Sequence, residues 1–590
     1  MTNEQVSKLL RNIAAAYTIK NEKKFRFQII AYQKASDTIA NLTSEIKDFY
    51  YENKLDTLPG IGNTIRSHLI ELFKKGEVKH FKWALKGIPA SVFPLLEIPG
   101  FGPKRAYKLV KEFKLDNPET AIYELEKAAK QGKIAFLDGF GQKSQGDILR
   151  AISEFREGKG KTTRMVLPYA QEIAEKIVDY LKKSKFVITA EPLGSLRRKM
   201  ATVGDIDIAV SSNNPQSVIS HFISYPHKER VIEKGDITAS MLVSGGRQID
   251  LMVQPPEAFG SLLQHFTGSK SHNIALREYA IKKGLSLSEY GIKVGRIKKL
   301  QKFDTERKFY NFLGMEWIPP EIRENTGEIE LAVSHKLPKL IELEDIKGDL
   351  HIHSSFPIEP SHDLGKNSIQ EMMTKAKELG YEYIGFSEHN PSISKHESSE
   401  VYAIISKRNK NIEQINSNIN NVRIFKLLEV DILPNGSLAI DNKCLDLLDG
   451  AIVSIHSLFN MNKHTMTKRI LKGLSHKKAK ILAHPTGRML NERPGYELNW
   501  NEVFAFCKKF NKALEINSWP ARLDLPDDLI RQAIQNGVRL VINTDSHSTA
   551  EMNLMRYGVA MARRGWAGKN DILNTLGYNH FMKWLKGGEL

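Results

Sequence analysis

Gly194-Ser-Leu-Arg-Arg198, followed by Gly204-Asp-Ile-Asp-Ile208, is the stretch from which the chemistry and the fold of the central part of the chain are read. Asp205 and Asp207 are i and i+2 on a predicted strand, so both carboxylates point to one face while Ile206 and Ile208 point to the other. A second predicted strand, Gln248-Ile-Asp-Leu-Met252, supplies Asp250 in the same alternating context. Three carboxylates do not share a small face without cations, and an oxygen-only donor set favours Mg2+ or Mn2+. Two such ions can clamp the attacking and leaving oxygens of a phosphoryl displacement. Gly194 and Ser195 offer backbone and hydroxyl donors to a triphosphate, and Arg198 a charge to the departing pyrophosphate. Strands are predicted over Phe186–Ala190, Gly204–Ser211 and Gln248–Val253, with helices over Leu167–Lys183 and Ser271–Lys283, which makes this an α+β region.

N-terminal to this block, three similar segments recur: Leu58-Pro-Gly-Ile-Gly62, Ile98-Pro-Gly-Phe-Gly102 and Leu137-Asp-Gly-Phe-Gly141, with glycines 40 and 39 residues apart. Each follows a helix-like pattern and opens another, over Asn63–Phe73, Pro103–Phe113 and Gln142–Phe155. Two glycines let the backbone approach a ligand closely, and the free N–H groups of the helix that follows can hold a phosphate oxygen. The pattern resembles the helix-hairpin-helix clamp on a DNA backbone. It assigns DNA contact to Gly60, Gly62, Gly100, Gly102, Gly139 and Gly141. The competing reading is three helix C-caps that happen to be glycine.

Composition supports several globular units. The 590 residues are 41% hydrophobic and 26% charged, and they carry 86 basic against 68 acidic side chains, a net charge of +18. Residues 341–590 hold 32 basic and 29 acidic groups, a balance of +3, which leaves 54 and 39, a balance of +15, in residues 1–340. A basic excess confined to one part of the chain suggests a polyanion partner there. Two cysteines exclude a disulfide framework, and no apolar stretch approaches the ~20 residues of a spanning helix, so a cytoplasmic protein is expected.

Gly194-Ser-Leu-Arg-Arg, Gly204-Asp-Ile-Asp, Asp250 and His265-Phe-Thr-Gly-Ser269 with Asn273 together resemble the family X DNA polymerases, the group of DNA polymerase beta. The resemblance runs from the N-terminus to about residue 320. It implies Asp205, Asp207 and Asp250 as ligands of two metals, and Gly194, Ser195, Arg198, Gly204, His265, Gly268 and Asn273 around an incoming dNTP. Three positions depart from the family pattern. His265 stands where Tyr is usual, Met252 where Arg often follows the third Asp by two, and His68 where lyase members carry a Schiff-base Lys.

Residues 341–590 hold 11 of the 18 histidines. Short apolar strands, Tyr383–Phe386, Val422–Leu428, Gly450–Ile455, Ile481–Ala483, Ala513–Asn517 and Val538–Asn543, alternate with helices and suggest a parallel α/β barrel with its chemistry at the strand C-termini. His351, His353, His389, Glu429, His456, His484, Asp545 and His547 fall at such ends. Mixed His/carboxylate sets suit Zn2+, Mn2+ or Fe. This region resembles the polymerase-and-histidinol-phosphatase (PHP) domain, which implies those eight residues as metal ligands. A ninth, an Asp in a Ser-Asp-Gly, is usual in that family. By counting, Ile358 takes its place in a longer loop, and Asp363 or Glu359 is expected to substitute, Asp363 first. Glu388 replaces the Asp that usually precedes His389.

The expected architecture is a DNA-end-binding helix-hairpin-helix domain (1–85), fingers with further hairpins (86–155), an α+β nucleotidyltransferase palm (156–257), a thumb (258–320), a linker (321–345) and a C-terminal α/β PHP phosphoesterase (346–590). The expected function is a DNA-directed DNA polymerase that fills short gaps in gapped or nicked duplex DNA during repair. A PHP-domain 3′–5′ exonuclease accompanies it in a monomeric protein without membrane attachment. The first alternative keeps the polymerase with an impaired, mainly structural PHP domain. A non-catalytic DNA-end-binding scaffold and a small-molecule nucleotidyltransferase are the further rivals, opposed respectively by the aspartate triad and by the hairpins with the basic half.

Overall fold

The computed structural model describes the chain apart from residues 2, 41–45, 52, 59, 99–100, 157–163, 245–246, 295–298, 419–421 and 589–590. Gly100 therefore lies outside the described residues.

The N-terminal helices bury regular apolar stripes. Ile65, Leu69 and Leu72 of helix Asn63–Lys75, spaced i, i+4, i+7, close a core with Val6, Leu10 and Ile13 of helix Asn3–Asn21 and Ile29 and Tyr32 of helix Arg26–Ala40. A second core joins Ala106, Leu109 and Val110 of helix Pro103–Glu112 to Leu125 of helix Ala121–Lys130 and Ile148 and Ile152 of helix Gln142–Arg156. All three hairpin helices form where the sequence placed them. The elements before the turns are shorter than expected, a 3-10 turn at Leu55–Thr57, one helical turn at Val92–Leu95 and a 3-10 turn at Lys133–Phe136. Leu58 precedes a proline and takes an extended conformation (φ −80°, ψ 129°), because a following proline disfavours helix at that residue.

The central sheet has five strands in the order Thr189–Pro192, Ile206–Ser211, Arg247–Gln254, Thr238–Val243 and Lys228–Lys234. Only the Ile206 and Arg247 strands run parallel, and they are paired with Asp207 directly beside Asp250. The strand expected at Phe186–Ala190 begins at Thr189, since Phe186 and Ile188 stay exposed and meet no core. Helices Phe259–Thr267, Lys270–Lys282 and Glu306–Leu313 follow. Between the last two stands a three-stranded antiparallel sheet of Leu285–Ser288, Gly291–Val294 and Lys299–Gln301, which the sequence reading did not anticipate.

From Gly348 onward eight parallel strands form a set of three (Gly348–Ile352, Tyr383–Phe386, Arg423–Lys426) and a set of five (Glu429–Asp431, Ala451–Ser454, Ala479–Leu482, Ala513–Asn517, Arg539–Asn543). Parallel bridges His389–Glu429 and Ile352–Ser546 join the two sets at both ends. Gly348–Ile352 and Ala513–Asn517 are buried at every residue. Both strands alternate apolar with polar side chains, and Asp349, His351, Glu515 and Asn517 are all fully buried, so one face of each strand carries polar groups into the interior. No helix of the described residues is long and apolar enough to cross a membrane.

Candidate active sites and their metal-binding residues

Asp207 and Asp250 face the same way from adjacent strands, and Asp205 lies just before the first of them. One carboxylate oxygen from each lies within 4.8 Å of the other two. Burial raises the Asp207 carboxyl to about 7, with the neighbouring charges of Asp205 and Asp250 adding to it. Such a triad favours bound cations, which offset the like charges. Two residues without a role in the sequence reading hold Asp250: the Ser240 hydroxyl donates to Oδ1, and Gln248 Nε2 donates to both oxygens at 3.0 and 3.1 Å. Ser240 is paired across the sheet with Asp250, and only this pairing reveals it.

Gly194 begins a single helical turn directly above this pair. A Cβ there would stand 2.7 Å from Asp207 Oδ2, and φ is +57°, so the position admits only glycine. The Leu193 N–H donates to the Asp207 carbonyl at 2.8 Å. Ser195 is half-buried in the same turn. Arg198 leaves the turn toward the end of helix Phe259–Thr267, where Nη1 donates to the Thr267 carbonyl, and Nε donates to Glu324 Oε1 at 3.0 Å. Gly268, at φ +66°, places its Cα beside this guanidinium, for a Cβ would lie 3.1 Å from Nη1. Gly204 faces Arg164, whose Nη1 is 3.3 Å from the corresponding point.

Asn273 is more constrained than the sequence suggested. Its Nδ2 donates to the His265 carbonyl at 2.7 Å, and its Oδ1 accepts from Gln264 Nε2 at 3.0 Å. The side chain thus ties the end of helix Phe259–Thr267 to helix Lys270–Lys282. The His265 ring lies 4.8 Å from that of Phe266, and burial lowers its basicity.

The second site gathers around one carboxylate. Glu429 Oε2 lies 3.2 Å from His351 Nε2, 3.7 Å from His353 Nε2 and 3.0 Å from His389 Nδ1. Oε1 lies 2.9 Å from His484 Nε2 and 3.3 Å from His456 Nε2. Asp545 Oδ1 stands 3.2 Å from His353 and 3.4 Å from His351. His547 stacks on His353 with ring centroids 4.1 Å apart. All eight sequence-assigned residues are brought together. His351 Nε2, both nitrogens of His353, His389 Nδ1, His484 Nδ1 and His547 Nε2 are buried without a well-formed hydrogen bond. Buried imidazole nitrogens without partners fit metal ligation where they face Glu429 and Asp545, as His351 Nε2, His353 Nε2 and His389 Nδ1 do, because an orphaned polar atom in a dry site is otherwise costly. Burial would raise the Glu429 carboxyl, and the surrounding His389, His351 and His456 hold it well below the usual range.

Asp363 is not among the residues that gather around Glu429. Its Oδ1 lies 2.8 Å from Lys34 Nζ of the N-terminal helices, and its side chain is exposed. Glu359 turns away to His396, at 3.1 Å. Ile358 is fully buried in the apolar core. The loop geometry gives the reason. A Cβ on Gly365 would fall 1.9 Å from the His353 carbonyl, so Gly365 presses the returning loop against the His351–His353 strand. His362, three residues earlier, then points inward. Its ring lies 4.4 Å from that of His456 and 5.0 Å from that of His389. His362, His456 and Asp431 each offer one atom within 4.8 Å of the others, and Asp431 Oδ1 is 2.7 Å from His456 Nδ1.

Several supporting groups escaped the sequence reading. Glu515 Oε1 lies 2.7 Å from His351 Nδ1, which orients that imidazole, and Oε2 accepts the backbone N–H of His484 at 2.7 Å, which holds the chain where His484 enters the cluster. Asp431 had a visible signal, since it stands two residues after Glu429 on the same strand and so on the same face. Glu388 is paired with the buried Arg408 and with the Ser354 hydroxyl, so its departure from the family's Asp is absorbed by a structural ion pair.

Comparison with known proteins places these sites in context. Residues 262–324 match the family model for the DNA polymerase beta thumb, and residues 1–78 match a helix-hairpin-helix domain model. The chain is 35% identical over 588 residues to DNA polymerase/3′-5′ exonuclease PolX of Bacillus subtilis (strain 168), covering 99% of this chain and 100% of that protein. It is 24% identical over 356 residues to DNA polymerase lambda of Arabidopsis thaliana and 22% identical over 354 residues to that of Rattus norvegicus, covering 54% and 55% of this chain and 62% and 56% of those proteins. The full-length match, the thumb and the hairpin domain agree with the paired-strand aspartates, and the chain belongs to the family X DNA polymerases.

Proposed function

We propose that this family X polymerase divides two activities between its two cation-binding clusters. Nucleotide addition to a primer 3′ end belongs to Asp205, Asp207 and Asp250, and 3′–5′ shortening to the histidine cluster of a C-terminal PHP domain. The observation that carries this reading is the separation of donor sets, one all-carboxylate and half-exposed, the other imidazole-rich and buried. Oxygen donors suit Mg2+ or Mn2+, and the mixed set suits Mn2+, Zn2+ or Fe. Bound there, such ions supply charge neutralisation for a phosphoryl displacement at the first site and activation of water for phosphodiester hydrolysis at the second.

The chain's own groups set the stage. Ser240 and Gln248 fix both oxygens of Asp250, so that this carboxylate stays aligned with the neighbouring strand. Arg198 reaches the rim beside Gly268, where a triphosphate's leaving group can be met, and Gly194 leaves the space above Asp207 open. The +15 balance of residues 1–340 and the three hairpin turns supply the DNA-binding half. A Cβ on Gly62, Gly102, Gly139 or Gly141 meets nothing within 4 Å, which leaves room for a DNA backbone at those turns. In the second cluster His362 and Asp431 take the part expected of Asp363.

The experiment is a labelled primer on a one-nucleotide gap, with and without dNTPs, in Mg2+ and in Mn2+. Extension by one nucleotide with dNTPs and shortening without them is the expected result. Extension without shortening under every metal condition favours the impaired-PHP reading instead.

A further inference from the structure

Helix Met555–Arg564 belongs to the C-terminal region and packs its last residues into the seam between palm and thumb. Arg564 is almost fully buried there. Its Nη1 donates to the Arg198 carbonyl at 2.8 Å and to Glu324 Oε1 at 3.2 Å, and its Nη2 to Asp527 Oδ2 at 2.5 Å. The same Glu324 oxygen accepts from Arg198 Nε at 3.0 Å. One carboxylate oxygen is therefore shared by two guanidinium groups, one from each half of the chain. Arg198 is mostly buried, and its Nη1 is taken by the Thr267 carbonyl, which leaves Nη2 without a protein hydrogen bond among the described residues.

We propose that Arg564 and Glu324 are positioning residues for polymerisation, through which the C-terminal domain sets Arg198 at the nucleotide site. The inference rests on the reading of Arg198 as a triphosphate ligand. Its physical basis is twofold. Arg564 pins the backbone at Arg198 and the Glu324 carboxylate together, so the direction of the Arg198 fork is fixed from both ends. Arg564 also takes part of the Glu324 charge. Without it, Glu324 would turn its whole charge on Arg198 and compete with the anionic substrate for the same guanidinium. Neighbouring contacts fix the seam independently of this shared oxygen. Arg563 Nε donates to Glu321 Oε1 at 2.9 Å, and Arg531 Nη2 donates to the Thr326 carbonyl at 2.8 Å.

The test measures single-nucleotide gap filling by the full-length protein, with KM for dNTP and kcat read separately. Arg564→Met is expected to raise KM by roughly tenfold, about the factor that one hydrogen bond to a charged group represents, with a smaller change in kcat. Primer shortening and melting temperature report whether the fold is intact. Glu324→Gln serves as the second variant, should Arg564→Met fold poorly, and is expected to alter KM through the same route. Arg198→Met is expected to raise KM at least as much, and adding Arg564→Met to it should cost nothing further. Unchanged KM in Arg564→Met and Glu324→Gln, with raised KM in Arg198→Met, overturns the positioning role. A full Arg564→Met effect that persists in the Arg198→Met background overturns it as well. Unchanged KM in Arg198→Met removes the triphosphate reading itself, and the inference with it.

Discussion

Glu306 is buried between Arg197, which approaches with both terminal nitrogens at 3.0 and 2.7 Å, and Arg323 at 2.6 Å. Burial alone would raise its carboxyl; the two arginines outweigh that and hold it at about 2. A depressed carboxylate stabilises the fold above its unfolded pKa, and that contribution is lost as pH falls through the folded value, here between about 4.5 and about 2. Glu306→Gln should lower stability at neutral pH by on the order of 3 kcal/mol, because it leaves two buried guanidinium groups short of charge. The difference in melting temperature between wild type and variant should narrow as pH drops from about 5 toward about 3. A constant difference across that window would contradict the ion-pair account. A second residue-scale prediction concerns the metal shell. His362→Ala should lower the metal content of the purified protein and slow primer shortening, whereas Asp363→Ala should leave metal content unchanged. Metal analysis of both variants decides it, and the reverse pattern would return Asp363 to the shell.

At the scale of elements, helix Asn63–Lys75 carries His68 at the position where lyase members of the family have a lysine. Its ring stacks on His80 with centroids 4.8 Å apart, and its Nδ1 lies 2.7 Å from the Tyr32 hydroxyl. An imidazole forms no stable imine, so this helix should not support deoxyribose-phosphate lyase chemistry through His68. Lys75 lies on the same face two turns on, roughly 10 Å along the axis. Borohydride trapping on an incised abasic site should yield little adduct, and efficient trapping would show that another lysine serves. How much of the fold was legible also belongs here. Hairpin helices and buried parallel strands declared themselves through apolar period and turn glycines, as at Asn63 and Ala513. Thr189–Pro192 was misplaced because Phe186 and Ile188 look strand-like but lie outside any core. The eight residues that gather around Glu429 were legible because they stand at or just after strand C-termini, where a strand fixes its side chains' direction. The path of the loop through Asp363 was not, because it depends on Gly365 meeting the His353 carbonyl, a contact remote from local sequence. Ser240, Glu515 and Arg564 act across strands or between halves of the chain, and no spacing in the sequence announces them.

At the scale of the whole molecule, two clusters of different chemistry stand on different sheets of one chain, joined by a polar seam in which arginines of the C-terminal half meet carboxylates and carbonyls of the polymerase half. The aspartate triad depends on the pairing of strands Ile206–Ser211 and Arg247–Gln254, and the histidine cluster on the parallel strands after Gly348. Neither cluster shares a donor with the other. The seam couples the halves through Arg198, not through either metal set, so loss of one set of ligands should spare the chemistry of the other. The direct measurement is extension and shortening of the same gapped substrate by Asp207→Asn and by His351→Ala. Asp207→Asn should reduce extension by more than the roughly 10- to 100-fold that loss of an outer-shell metal partner brings, while shortening persists, and His351→Ala should do the reverse. Loss of both activities in either single variant, with the protein still folded, would contradict the assignment of two separate sites.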